Sequence, residues 1–212
     1  MVTVVSDGSV HGPIHQLGPE WVPGADGVRF RRAARVILLD ADDRVLLLHG
    51  SDVDQRERSW WFTVGGGIDP GESQRAAAAR ELFEEAGIML DPAALVGPVY
   101  SRVAMFDFFR ETCRQEEVFF LGRYAGSVGR RPAADGDPVA SGVDVAVGPP
   151  CGEDDFSREG WTQIEVDTID ELRWWDLDEL AALDEEVFPI GLPELVRALL
   201  GGWDGVTRDL DA

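Results

Sequence analysis

The stretch from Trp60 to Ile88 constrains the fold more than any other part of this chain. Residues 60–64 (WWFTV) form an aromatic and β-branched run of strand length. Gly65, Gly66 and Gly67 follow, and Asp69-Pro70-Gly71 is a turn former. Ser73 then stands where a helix N-cap is wanted. Residues 74–86 (QRAAAARELFEEA) are nearly all strong helix formers, and Gly87 suits a left-handed helix end. The segment therefore reads as strand, glycine loop, helix and stop. On that helix Glu81, Glu84 and Glu85 fall at i, i+3 and i+4, so three carboxylates share one face with Cβ atoms about 5–6 Å apart. Like charges at this spacing disfavour a helix by a few tenths of a kcal/mol per pair. A hard divalent cation offsets that cost, since Mg²⁺ takes carboxylate oxygens and keeps waters that phosphate oxygens can replace. A solvated acidic face would give the same three residues, so the triplet alone does not decide.

The remaining chain gives that helix a sheet to pack on. Residues 33–39 (AARVILL) read as a buried strand. Residues 40–43 (DADD) read as a turn, and residues 45–48 (VLLL) as the second arm of a hairpin. Residues 96–109 and 117–124 read as two further strands joined by a charged turn over 110–115. Residues 172–175 read as a last strand, and residues 177–183 and 192–200 as C-terminal helices, with Pro189 and Pro193 marking the break and the restart. Strands and helices alternate unevenly, which implies an α/β arrangement with a mixed sheet. Residues 1–27 are Gly- and Pro-rich without period and read as an N-terminal extension. The domain spans residues 28–204, with a Gly/Pro/Asp-rich insertion at about 125–160, too long for an ordinary connection, and a tail over 205–212.

Charge and composition exclude several classes. The net charge is −21 with a pI near 4.3, which opposes nucleic acid as a partner and requires a cation or clustered arginines for any polyanionic small molecule. Two cysteines, Cys113 and Cys151, supply neither a disulfide framework nor a four-cysteine zinc site. No apolar run of about 18 residues exists, so no membrane partner is expected. Residues 1–20 lack the basic start and apolar core of a signal peptide, so a cytoplasmic location is the expectation.

The spacing within the helical segment closes the reading. Gly66, Glu72, Arg80, Glu81, Leu82, Glu84, Glu85, Gly87 and Ile88 occupy all nine specified positions of GX5EX7REUXEEXGU, where U is bulky and aliphatic. The chain thereby resembles the Nudix hydrolases, most strongly over residues 33–87. The resemblance implies a mixed β-sheet sandwiched between helices (an α/β/α sandwich) and Mg²⁺-dependent (or Mn²⁺-dependent) hydrolysis of a diphosphate linkage. The substrate it implies is a nucleoside-diphosphate-type small molecule, such as a nucleoside triphosphate, a nucleotide sugar or ADP-ribose. By the same resemblance Glu81, Glu85 and Glu84 hold the metal, with the Gly65 carbonyl beside them. Arg80 and Glu72 pair to orient those glutamates. Leu82 and Ile88 face the core, and the alanines at 76–79 permit close packing.

A further glutamate outside the box serves many relatives as base or ligand; Glu165 and Glu171 are candidates here, Glu116 and Glu117 weaker ones. Arg29, Arg31, Arg32 and Arg35 form a basic cluster in an acidic chain, and strand alternation puts Arg31 and Arg35 on one face, suited to clamping a phosphate. Scattered salt bridges would use the same arginines. Trp60, Trp61, Phe106 and Phe108 suit either a base-stacking or a core role, while His11, His15 and His49 show no partner pattern. Markers of subfamilies acting on ADP-ribose or dinucleoside polyphosphates are missing, since Ala104, Met105 and Phe106 stand in their zone. A non-catalytic ligand-sensing module on the same fold is the alternative, as is an isomerase-like enzyme needing a catalytic cysteine. Many relatives are dimers, so a homodimer stays open.

Overall fold

The computed structural model describes residues 20–51, 57–108, 111–124, 161, 166 and 168–211, with backbone only at 107–108. Nine strands among these residues form one sheet: β1 (Val22–Pro23), β2 (Arg29–Leu39), β3 (Val45–Ser51), β4 (Ser59–Gly67), β5 (Val96–Phe108), β6 (Glu111–Arg123), β7 (Ile169–Trp175), β8 (Glu186–Phe188) and β9 (Arg208–Asp209). Helix α1 spans Gln74–Ala86, α2 Leu177–Ala181 and α3 Leu192–Leu200. The spine of the sheet runs β7-β3-β4-β2-β6-β5-β9. It is mixed, because β2 pairs with β6 in parallel along its whole length and with β4 antiparallel.

Strand alternation builds two cores. Ala34, Val36 and Leu38 of β2 meet Ala77, Ala78 and Leu82 of α1 on one face. Ile37 and Leu39 meet Leu177 and Leu180 of α2 and Leu192 and Val196 of α3 on the other. The expected sandwich results, with Leu82 and Ile88 sealed in the α1 core. Each such fully buried aliphatic side chain contributes roughly 1.5–3 kcal/mol. Ala77 and Ala78 have no measurable exposure, so the small side chains let α1 lie close on the sheet.

The boundaries of α1 agree with the sequence. The Ser73 hydroxyl accepts from Ala76 N–H at 3.2 Å, and Gly87, at φ 68°, donates to the Phe83 carbonyl at 2.9 Å. Gly191, also left-handed at φ 73°, and Pro193 open α3 over the expected residues.

Three expectations change. β2 and β3 touch in register only at Leu39–Val45, because β4 inserts between them and pairs with both, so the hairpin reading fails beyond the turn. Residues 111–115 are strand rather than turn, since β6 needs them to match β2 from Arg29 onward. The end of the N-terminal stretch is docked, with Trp21 buried and β1 paired to β2. The insertion at about 125–160, with Cys151, and also His11, His15 and Glu165, lie outside the described residues. No helix among the described residues is long and apolar enough to cross a membrane.

Candidate active site

The loop between β4 and α1 brings the box residues together. β4 continues through all three glycines, and Gly65 takes φ 133°, a conformation side chains rarely adopt. Its N–H donates to Glu85 Oε2 at 2.6 Å. A Cβ on Gly66 would lie 2.7–2.9 Å from the Glu81 carboxylate, so the absent side chain makes the space in which that carboxylate rests. Glu81 and Glu85, one helical turn apart, are both buried against this loop.

Arg80 ties the acidic face together. Its Nε and Nη2 each meet one Glu72 oxygen at 3.0 Å, a bidentate pair. Nη1 donates to Glu81 at 2.9 Å and Glu84 at 2.8 Å, and Nη2 donates to the Gly67 carbonyl at 2.9 Å. Burial would raise the Glu72 carboxyl, but the Arg80 hydrogen bond holds it below the usual carboxylate range. Hydrogen bonding to Glu72 and the charge of Glu81 raise Arg80 in turn. Glu84 is half-exposed and turned toward Arg80. Among the described residues no three acidic, histidine or cysteine side chains converge tightly enough in this geometry to form a ready metal cage. The donors offered are nonetheless all hard oxygens beside a glycine cradle, which is the chemistry Mg²⁺ or Mn²⁺ takes.

The opposite face of the sheet carries the arginines. Arg31 and Arg35 do share a face, and each reaches β6: Arg31 Nε donates to Gln115, and Arg35 Nε donates to Glu117. Arg31 also lies over the Trp21 ring at 4.4 Å and bonds Glu20 at 3.3 Å. Its guanidinium comes within 4.0 Å of the Cβ position of Gly67, next to the box loop. Arg35 is buried, and its Nη1 donates at 2.9 Å to both the Thr63 and the Gly65 carbonyls. Glu117, with a fully buried side chain, also accepts from Arg102 and, at 2.6 Å, from Gln115 Nε2. Burial by itself would raise the Glu117 carboxyl; Arg35 and Arg102 hold it at about 2 instead. Arg29 is spent on Glu111 at the surface, and Arg32 is exposed.

Nothing local in the sequence marks Glu117, a weaker candidate there than Glu165 or Glu171: its partner Arg35 lies 82 residues away. Glu171 stands on β7, two strands from β4, paired with His49. Trp61 is core, in edge contact with Trp175 at 4.9 Å; Phe106 packs edge-on against Trp21, and Trp60 sits beside Arg58. His49 faces Asp170 and Glu185.

The NUDIX domain family model matches residues 29–145, more than half of the chain. The chain belongs to the Nudix family. Among curated Nudix relatives, the RNA pyrophosphohydrolase of Erythrobacter litoralis is 32% identical over 111 residues, covering 48% of this chain and 66% of that one. The putative 8-oxo-dGTP diphosphatase of Bacillus subtilis is 34% identical over 117 residues, covering 55% and 63%. Diphosphoinositol polyphosphate phosphohydrolase 2 of Rattus norvegicus is 36% identical over 72 residues, covering 34% and 38%. The chain thus spans a little under two thirds of the first two relatives. Among solved structures, a Nudix hydrolase from Nitrosomonas europaea aligns at TM-score 0.49 and 16% identity over 82% of this chain and 90% of that one.

Proposed function

We propose that the protein is a Mg²⁺-dependent hydrolase of a diphosphate linkage in a nucleoside-diphosphate-type substrate of the triphosphate, nucleotide-sugar or ADP-ribose class. The observation that carries this reading is the pair Glu81 and Glu85, buried on one face of α1 against Gly66 and Gly65. Two buried carboxylates a turn apart are costly unless compensated. Arg80, Arg31 and Arg35 offset part of that charge, and carboxylate oxygens gathered at a glycine cradle suit a hard divalent ion.

Glu81 and Glu85 hold the ion, with Glu84 and the Gly65 carbonyl as the next donors. When bound, it neutralises phosphate oxygens and acidifies a coordinated water. Arg80, anchored by Glu72, keeps the glutamates aimed at the loop. Arg31, beside Gly67, supplies a cation for a phosphate oxygen. A glutamate outside the box, for which Glu165 is the candidate, receives the proton of the attacking water. The names of the relatives add an RNA pyrophosphate, 8-oxo-dGTP and a diphosphoinositol polyphosphate to the phosphorus anhydrides worth testing, although a net charge of −21 opposes a long polyanion.

The test is a substrate panel with Mg²⁺, product identification, and an EDTA control. Hydrolysis at a diphosphate bond by the parent, lost by orders of magnitude in a folded Glu85→Gln variant, is expected. Tight binding of one panel member without turnover, in parent and variant alike, would establish a sensor and end the catalytic reading.

A further inference from the structure

Arg35 is a positioning residue rather than a phosphate clamp: we propose that it orients the Gly65 peptide, and through it the metal-binding face of α1, from the far side of the sheet. The inference rests on the Nudix metal site proposed above, but it concerns a part of the molecule outside the box.

The two peptide groups flanking Gly65 are each held by a side chain. The N–H of Gly65 is taken by Glu85 at 2.6 Å, and its carbonyl is taken by Arg35 Nη1 at 2.9 Å. Glycine has no side chain of its own to restrict these peptides and has the widest backbone freedom of any residue. The conformation here, φ 133°, brings the Gly65 backbone so close to Ala34 and Arg35 that no Cβ fits. External hydrogen bonds therefore have to select it. Arg35 lies directly opposite Gly65 in the β2–β4 register, and its Nη1 bridges the carbonyls of Thr63 and Gly65. The peptide so fixed joins Gly65 to Gly66, and Gly66 is the residue on which the Glu81 carboxylate rests. One guanidinium thus governs the direction of a candidate ligand carbonyl and the seats of both buried glutamates.

Glu117 makes this arrangement tolerable. A buried guanidinium beside a cation site would repel the cation; Glu117 accepts from Arg35 Nε and offsets part of its charge, the charges of Glu85 and Glu81 act on it as well, and Arg102 and Gln115 hold Glu117 in turn. A flexible ammonium could not span Glu117 and two carbonyls with one rigid fork.

The experiment compares the parent with Arg35→Met and Arg35→Lys. Mn²⁺ binding to the substrate-free protein is read by electron paramagnetic resonance, and kcat and KM are read on whichever substrate the panel identifies. For Arg35→Met, Mn²⁺ binding is expected about tenfold weaker (about 1.4 kcal/mol) and kcat at least about tenfold lower, with KM within about threefold of the parent. Arg35→Lys should fall between the two, and it carries the test if Arg35→Met does not fold. Unchanged Mn²⁺ binding overturns the proposal, whether KM rises tenfold, as for a phosphate clamp, or stays constant, as for a purely structural arginine. Weakened Mn²⁺ binding in a protein that hydrolyses nothing on the panel would refute the catalytic reading and leave this one standing.

Discussion

Glu117→Gln is the substitution with the largest expected effect outside the box. The Glu117 side chain is fully buried and receives Arg35, Arg102 and Gln115. Its carboxyl titrates at about 2, against 4.5 for an unperturbed glutamate. At about 1.36 kcal/mol per pH decade, that gap corresponds to about 3 kcal/mol favouring the folded, ionised form. Removing one partner of a buried ion pair costs about 3–5 kcal/mol by an independent route, since the remaining charge is stranded. The two figures agree, and about 3 kcal/mol is a large share of the about 5–15 kcal/mol that a domain has in total. Because the folded pKa is depressed, the contribution is complete above pH 4.5 and is lost as the pH falls toward 2. Urea denaturation of parent and Glu117→Gln at pH 7, and again at pH 3, measures it. The variant should be about 3 kcal/mol less stable at pH 7, and the difference should shrink at pH 3. A difference under 1 kcal/mol at pH 7, or one that does not change with pH, would refute the electrostatic account of this cluster.

Other outcomes follow from the same geometry. Gly66→Ala drives a methyl into the Glu81 carboxylate, so Mn²⁺ binding should be lost with little change in far-UV circular dichroism. Gly87→Ala places a side chain at φ 68° and should cost about 1 kcal/mol in thermal or urea melts while kcat stays near the parent value. Glu72→Gln loosens the bidentate anchor of Arg80 and should lower kcat and metal affinity together, by about tenfold each, as read by metal titration of the rate.

The chain's local signals were enough to place α1 to the residue, because Ser73, the alanines and Gly87 act within a few positions of one another. They also placed the box residues on one face and the leading strand before them. Nothing local told that β4 lies between β2 and β3, which its antiparallel pairing with both decides, or that residues 111–115 join a strand, which follows from parallel pairing of β6 with β2, a contact between segments about 84 positions apart. The same limit hid Glu117, a glutamate beside another glutamate in the sequence, with Glu116 exposed and Glu117 sealed. Helix caps and alternating faces are short-range consequences of backbone geometry and can be read from spacing. Strand order, and which charge is buried against which, arise from long-range packing, so only the folded sheet decides that Arg35 faces Glu117 and Gly65 rather than solvent.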